Sequence, residues 1–93
     1  SYESACFDMD GVGRNLIVRS RRPGDRFQPL GMARAKKLQD FMTDEKIPRQ
    51  ARDGIPLVIS PRGIAWVVGS RIAEWARLTE DTRKIVRLTF QKI

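Results

Sequence analysis

Five short segments of this chain have the residue pattern of β-strands, and one stretch has the spacing of an amphipathic helix. The strand-like segments are residues 3–9, 15–20, 56–60, 64–68 and 84–91. Most of them alternate apolar and polar side chains with a period of two, whereas 56–60 and 64–68 are apolar on both faces, as in a central strand. In residues 35–45 the apolar side chains fall on one arc. The pattern predicts an α+β domain with a small antiparallel or mixed sheet of about five strands.

Turn residues predict how these strands connect. Asp-Gly-Val-Gly at 10–13 should join the first two strands as a β-hairpin, and Ser-Pro-Arg-Gly at 60–63 should join the third and fourth. In the last strand, Val86, Leu88 and Phe90 are expected to face the core.

A short second helix is predicted from Pro48 to Asp53, because proline suits a first helical turn and Gly54 suits the position past a helix end. Residues 71–76 fit either one helical turn or a loop. The apolar residues expected to anchor the first long loop to the core are Phe27, Pro29 and Leu30.

Length and cysteine content favour a single domain, residues 1–93, in a reducing cytoplasm. No apolar run approaches the ~18 residues of a membrane span, and early acidic residues argue against a signal peptide. The one cysteine, Cys6, excludes an internal disulfide and is expected to be a small buried hydrophobe. Because the chain begins without methionine, we expect a domain excised from something larger.

The chain has no histidine, which removes imidazole bases and the usual catalytic triads. Zinc would need several cysteine or histidine ligands, and Asp8 with Asp10 makes a poor cage for a hard cation. We therefore expect no catalytic group, no metal site and no cofactor in this chain.

All of the excess charge lies in residues 14–52, which hold eleven Lys or Arg and four Asp or Glu, a net +7. The rest of the chain is balanced, with seven of each. A one-sided basic region in an otherwise neutral domain indicates contact with a polyanion, and nucleic acid is the main candidate.

The centre of this region is Arg-Ser-Arg-Arg-Pro-Gly-Asp-Arg at 19–26. Arginine binds phosphate through a planar fork, and a turn at Pro23 and Gly24 would fix where the guanidinium groups point. The alternative is that Asp25 pairs with the arginines and only holds the loop in shape. The predicted loop-shaping residues are Pro23, Gly24, Asp25 and Gly31.

Further cations follow at the predicted helices, where a helix N-terminus beside Lys36 and Lys37 would add to phosphate attraction. A solvated surface, with Lys36 or Lys37 paired to Asp40, is the alternative. The residues predicted to bind RNA are Arg19, Arg21, Arg22, Arg26, Lys36, Lys37, Lys46, Arg49 and Arg52. Trp66 should be core, whereas Trp75 is left open between a base-stacking role, core packing and contact with another domain.

Several motifs together resemble the C-terminal domain of bacterial tRNA(Ile)-lysidine synthetases. They are Arg-Ser-Arg-Arg-Pro-Gly-Asp-Arg-Phe at 19–27, Pro-Leu-Gly at 29–31, Lys-Lys-Leu-Gln-Asp-Phe at 36–41, Asp-Glu-Lys-Ile-Pro-Arg at 44–49, Arg-Asp at 52–53, Ile-Pro-Leu-Val at 55–58, and Trp66, Val67, Gly69, Arg71, Ile72, Ala73 and Thr82. The resemblance covers most of residues 16–82, in order and spacing.

The resemblance implies a non-catalytic tRNA-binding domain of an ATP-dependent ligase. Such an enzyme, with ATP and magnesium bound in another domain, joins lysine to the wobble cytidine of an isoleucine tRNA with a CAU anticodon. It implies docking of the tRNA on its acceptor-stem side, and a fold shared with the phenylalanyl-tRNA synthetase β subunit. Two alternatives stay open: a generic RNA-binding module, and a module that docks an acidic domain of the same protein.

Overall fold

Three small antiparallel sheets enclose the core in the computed structural model, which describes residues 2–91. The strands are β1 Tyr2–Asp8, β2 Ile17–Arg19, β3 Arg26–Phe27, β4 Lys36–Lys37, β5 Leu57–Ser60, β6 Gly63–Val67 and β7 Ile85–Gln91. The helices are α1 Met9–Val12, α2 Leu38–Asp44 and α3 Arg49–Arg52, followed by a 3₁₀ turn at Glu74–Ala76. The predicted α+β class is confirmed, although the strands form three sheets and not one.

The first and last strands pair with each other, so the predicted hairpin between the first two strands is wrong. β1 runs antiparallel to β7, with Phe7 opposite Val86. The predicted turn at 10–13 overlaps helix α1, and the Asp8 carboxylate caps this helix by accepting from the Asp10 N–H at 3.1 Å. Alternation identifies a strand but not its partner, which here lies at the other end of the chain.

The second predicted hairpin is confirmed. β5 and β6 pair antiparallel, with a register shift between Val58 and Ile59. β2 joins the other edge of β5 and gives the order β2-β5-β6, so β5 is central as its apolar sequence predicts. β6, for which the same pattern predicted a central position, lies at the edge of this sheet.

Aromatic side chains build the core between these sheets. Phe7 and Trp66 meet edge to face with ring centroids 5.7 Å apart, and Phe27 meets Phe41 in the same way at 4.9 Å. Trp66 also packs on Phe90 from β7, which confirms both the predicted core tryptophan and the predicted inner face of that strand.

Two expected core residues face solvent instead. Cys6 is exposed because it alternates with Phe7, and only one face of β1 meets the core. Leu30 is 41% exposed although its backbone N–H is tied to Ile72 O at 2.9 Å, whereas Phe27 and Pro29 are buried as predicted. For these surface positions the apolar residue type was misleading.

Both predicted helices exist, but α2 is shorter than the helical pattern of residues 35–45. Lys36 and Lys37 pair with β3 instead of opening the helix. α3 agrees with the prediction to within a residue at each end, and residues 74–76 of the ambiguous 71–76 segment form one helical turn. Within residues 2–91, every helix is too short and too polar to cross a bilayer.

Candidate nucleic-acid interface

A tight turn at residues 22–25 organises the most basic part of the surface. The Asp25 N–H donates to Arg22 O at 3.2 Å, with Pro23 second in the turn and Gly24 third at a φ of 85°. This is the residue pattern of a type II turn, in which a side chain at the third position would be strained. Sequence reasoning named Pro23 and Gly24 as loop-shaping, and the geometry gives each a place in the turn.

The carboxylate of Asp25 is fully engaged inside this turn. Arg19 donates to both of its oxygens at 2.9 Å, and the Arg22 backbone N–H donates to one at 2.8 Å. The hydrogen bond from Arg19 is the main cause that holds the pKa of Asp25 below its ordinary value, and it raises the pKa of Arg19. The two side chains are only 17% and 13% exposed. Arg19 therefore supports the turn and is not a free cation.

Beside this turn lies the basic cleft, an open depression of about 520 Å³. Its lining residues are Arg21, Arg22, Pro23, Gly24, Asp25, Arg26, Lys37, Leu38, Gln39 and Asp53. The carboxylate of Asp25 is already used by Arg19, and the exposed Asp53 accepts from Arg21 Nε at 2.7 Å. An exposed pair of this kind is weak and leaves the remaining N–H groups of Arg21 free to bind another oxygen.

Two cations face each other directly across the β3–β4 pair. Arg26 is opposite Lys37 in the register, and both side chains are exposed and line the basic cleft. Like charges at such a position destabilise a sheet. Within residues 2–91, no carboxylate lies at ion-pair distance from Arg22, Arg26 or Lys37. The repulsion is relieved if an anion enters the cleft.

Other residues predicted to bind RNA lie outside the basic cleft. Lys36 pairs with Asp44, and not with the Asp40 that its spacing suggested. Lys46 and Arg49 are exposed but line neither this cleft nor the one described below. These residues show that cations adjacent in the sequence point to different parts of the surface.

Arg52, one of the residues predicted to bind RNA, does not lie on the surface. Arg52 is only 7% exposed, and its guanidinium donates to Ile47 O at 2.9 Å and to Thr43 Oγ1 at 3.4 Å. It ties α3 to the end of α2, and this structural use removes it from the candidate interface.

The start of α2 also differs from the expected phosphate site. The Leu38 N–H donates to Asp25 O at 2.9 Å, so this N–H is already occupied. The cations around the turn, and not the helix end, define the candidate interface.

A second depression of about 350 Å³ adjoins the first and shares Arg26 with it. In this tryptophan cleft the Arg62 guanidinium carbon lies 4.9 Å from the centroid of the Trp75 ring. The remaining lining residues are Phe27, Gln28, Ala35, Gly63 and Ile64. Sequence reasoning assigned Arg62 only to the β5–β6 turn and missed this cation–π pair, since nothing local connects the hairpin to Trp75.

Gly31 anchors the loop beside this cleft. Its φ is 89°, and its N–H donates to Glu74 Oε1 at 2.9 Å. The Glu74 N–H in turn donates to Gln28 O at 2.9 Å, so the loop and the 3₁₀ turn that carries Trp75 hold each other. Gly31 thus shapes the tryptophan cleft, whereas Pro23, Gly24 and Asp25 shape the basic cleft.

The fold is that of a small α+β domain, and solved structures share it. A solved structure described as the TilS C-terminal domain superposes with a TM-score of 0.73 at 32% identity, covering 94% of this chain and 68% of that one. An N-terminal fragment of the phenylalanyl-tRNA synthetase β subunit from Pyrococcus horikoshii gives 0.70, covering 95% and 27%, and at 22% identity shows the fold alone.

The sequence comparison narrows this class to one family. The model of the TilS substrate C-terminal domain matches residues 16–88, and the chain belongs to this family. It is 53% identical over 87 residues to a tRNA(Ile)-lysidine synthase of Dehalococcoides mccartyi and 46% identical over 86 residues to one of Caldanaerobacter subterraneus. These alignments cover 94% and 92% of this chain but 18% of each relative, so the chain spans under a fifth of their length.

Proposed function

We propose that this chain is the tRNA-binding, non-catalytic domain of a tRNA(Ile)-lysidine synthase and that it holds a paired stem of the tRNA in the basic cleft. The observation that carries the proposal is the pair Arg26 and Lys37, two exposed like charges opposite each other without a carboxylate partner among the described residues. Such an arrangement is favourable when phosphate groups of a ligand supply the missing negative charge.

The geometry suits a nucleic-acid backbone better than a small anion. Arg21, Arg22, Arg26 and Lys37 surround an open cleft, so several phosphates along a strand can be bound at once. The amide of Gln39 on the same rim can donate to a phosphate or accept from a 2′-hydroxyl. RNA stems are recognised mainly through such backbone contacts, because the A-form major groove is too narrow to read.

The carboxylate nearest these cations is already engaged. Because Asp25 is held by Arg19 and the Arg22 N–H, it adds little repulsion toward phosphate while it fixes the turn. Asp53 is the exception, and its exposed pair with Arg21 has to open or shift when a strand enters. The basic cleft therefore keeps a positive charge, and the turn held by Asp25 fixes one of its walls.

The proposal also covers the activity of the longer protein to which this domain would belong. By the name of its relatives, the longer protein would be a ligase that attaches lysine to an isoleucine tRNA. We propose that ATP and magnesium are bound outside this chain. This chain would contribute affinity and position, bound on the acceptor-stem side and away from the reacting base. The cytoplasm, where tRNA is modified, would be its location.

Equilibrium binding of isoleucine tRNA with a CAU anticodon tests the proposal, with an unrelated folded RNA of equal length as competitor. Replacing Arg22 with Gln should weaken binding about tenfold at low salt and reduce the slope of log affinity against log salt by about 0.7–0.9. The control Arg83→Gln removes the same charge from a residue outside both clefts and should change neither quantity by much.

Three results would contradict parts of this account. Equal competition by the unrelated RNA would favour a generic RNA-binding module. Absence of tRNA affinity even at low salt would favour docking of an acidic domain of the same protein. Equal losses for Arg22→Gln and Arg83→Gln would show that overall charge, and not the basic cleft, attracts the RNA.

A further inference from the structure

The tryptophan cleft carries features that phosphate binding does not explain. Trp75 is half-buried beside Gly63 and Ile64, and the exposed Arg62 lies over its ring. A cation that binds only phosphate has no need of an aromatic surface beneath it. An arginine held over an indole presents a flat, polarisable surface on which another flat ring can stack.

The backbone at Trp75 is held in place from two sides. A Cβ added at Gly11 would approach Trp75 O to 2.6 Å, so helix α1 and the 3₁₀ turn pack closely at the glycine. Glu74 donates to Gln28 O and accepts from the Gly31 N–H, which fixes the other side. A platform held this firmly loses little conformational freedom when a ligand stacks on it.

The two clefts adjoin at Arg26, which lines both. The guanidinium of Arg26 also donates to Ala35 O at 3.1 Å, so its position between the clefts is fixed. A strand whose phosphates lie at Arg26 would bring its next nucleotide to Arg62 and Trp75. The volume of about 350 Å³ falls within the range of about 300–1,000 Å³ that small-molecule sites occupy.

We propose that Arg62 and Trp75 form a stacking platform for one unpaired nucleobase of the RNA whose paired region lies in the basic cleft. The base would stack on the guanidinium of Arg62, whose central carbon lies 4.9 Å from the centroid of the Trp75 ring, in the order base, Arg62, Trp75. Stacking on aromatic and arginine planes is the common way in which proteins hold unpaired bases, and it tolerates any base because each has a π-face. This inference rests on the proposed function and adds recognition of a junction between paired and unpaired RNA.

Three synthetic RNA hairpins of identical stem provide the test: one blunt, one with a three-nucleotide single-stranded extension on its 3′ strand, and one with the same extension on its 5′ strand. We expect one of the two extended hairpins to bind about tenfold more tightly than the blunt hairpin. It should also quench the fluorescence of Trp75, whereas the buried Trp66 should respond little. The measurement uses the 93-residue chain and fluorescence titration.

The variants Arg62→Gln and Trp75→Phe separate stacking from charge and from folding. Arg62→Gln changes an exposed side chain and should abolish most of the advantage of the extended hairpin, and Trp75→Phe should remove the quenching while part of the affinity remains. Arg83→Gln should keep the whole advantage. Circular dichroism of each variant, unchanged from the parent chain, shows that the fold is intact.

The platform is overturned if blunt and extended hairpins bind the unchanged chain equally, or if the advantage survives both variants. In either case blunt-stem binding, still sensitive to Arg22→Gln, would leave the proposed function standing. If none of the hairpins binds, both the proposed function and the platform fail.

Discussion

The basic turn at residues 19–26 and the corner between α2 and α3, residues 43–52, each contain several Lys or Arg side chains but use them differently. In the turn, Arg19 occupies the Asp25 carboxylate, and Arg22 and Arg26 are left without ion pairs among the described residues. In the corner, Arg52 is buried against backbone, while Lys46 and Arg49 line neither cleft. In the turn, the part-buried pair of Arg19 and Asp25 thus leaves the neighbouring cations available for binding. In the corner, Arg52 is used to stabilise the fold.

The largest effect is expected at Asp25. The substitution Asp25→Asn gives Arg19 a neutral amide partner, which has only one acceptor oxygen and no negative charge. It also weakens the hydrogen bond from the Arg22 N–H. We expect a loss of about 2–3 kcal/mol in the free energy of unfolding, because hydrogen bonds to charged groups contribute about 1.5–3 kcal/mol. Urea denaturation measures this loss, and a value below about 0.5 kcal/mol would mean that the Arg19–Asp25 pair does not hold the turn.

The same pair gives a pH dependence of defined sign. The folded-state pKa of Asp25 is lowered, so its contribution is fully present above the unfolded pKa of about 3.9 and is lost as the pH falls through the folded value. The stability gap between the parent chain and Asp25→Asn should therefore be constant from about pH 5 to 8 and shrink below about pH 4. A gap that widens in acid would contradict the lowered pKa.

Arg52 and Arg49 form a matched pair, of the same residue type and three positions apart on α3. Arg52→Gln removes the donor to the carbonyl of Ile47 and should cost about 1–2 kcal/mol, because a part-buried acceptor is left unpaired. Arg49→Gln changes an exposed side chain and should shift stability by less than about 0.5 kcal/mol. Thermal unfolding of both variants measures these changes in stability. Equal changes would show that burial does not distinguish the two arginines.

A smaller effect is expected at Lys46, which follows the C-cap residue of α2 and has a φ of 58°. The Ile47 N–H donates to Met42 O and the Lys46 N–H to Thr43 O, the pattern of a Schellman motif whose left-handed residue is usually glycine. Lys46→Gly should stabilise the chain by about 1 kcal/mol. Lys46→Ala keeps the left-handed cost and should be nearly neutral, so a gain from alanine as large as that from glycine would refute the backbone explanation.

Much of the fold follows from local sequence pattern, and the failures share one physical cause. Segment types along β5, β6, β7 and α3 were predictable because alternation, turn residues and caps are local. The pairing of β1 with β7 was not, since it joins opposite ends of the chain. Short peptide segments carry no information about which of several compatible strands will close the sheet.

The residues of the candidate site also fall into those that local sequence predicts and those that it does not. The turn residues Pro23, Gly24 and Asp25 were predictable because their geometry is set within four residues. Nothing in the sequence separates the buried Arg52 from the exposed Arg49, because both have the same type and helical setting. The contact of Arg62 with Trp75 depends on how the β5–β6 hairpin packs against the 3₁₀ turn, which only the folded structure shows.

The most direct test of the central claim compares equal charge removal in the two regions. Two double variants, Arg22→Gln with Lys37→Gln in the basic cleft and Lys46→Gln with Arg49→Gln in the corner, each lose two positive charges. The salt dependence of tRNA binding should lose about 1.4–1.8 units of slope in the first variant and stay near the parent value in the second. Equal slopes for the two variants, or a greater loss in the corner variant, would contradict the assignment of RNA binding to the basic cleft.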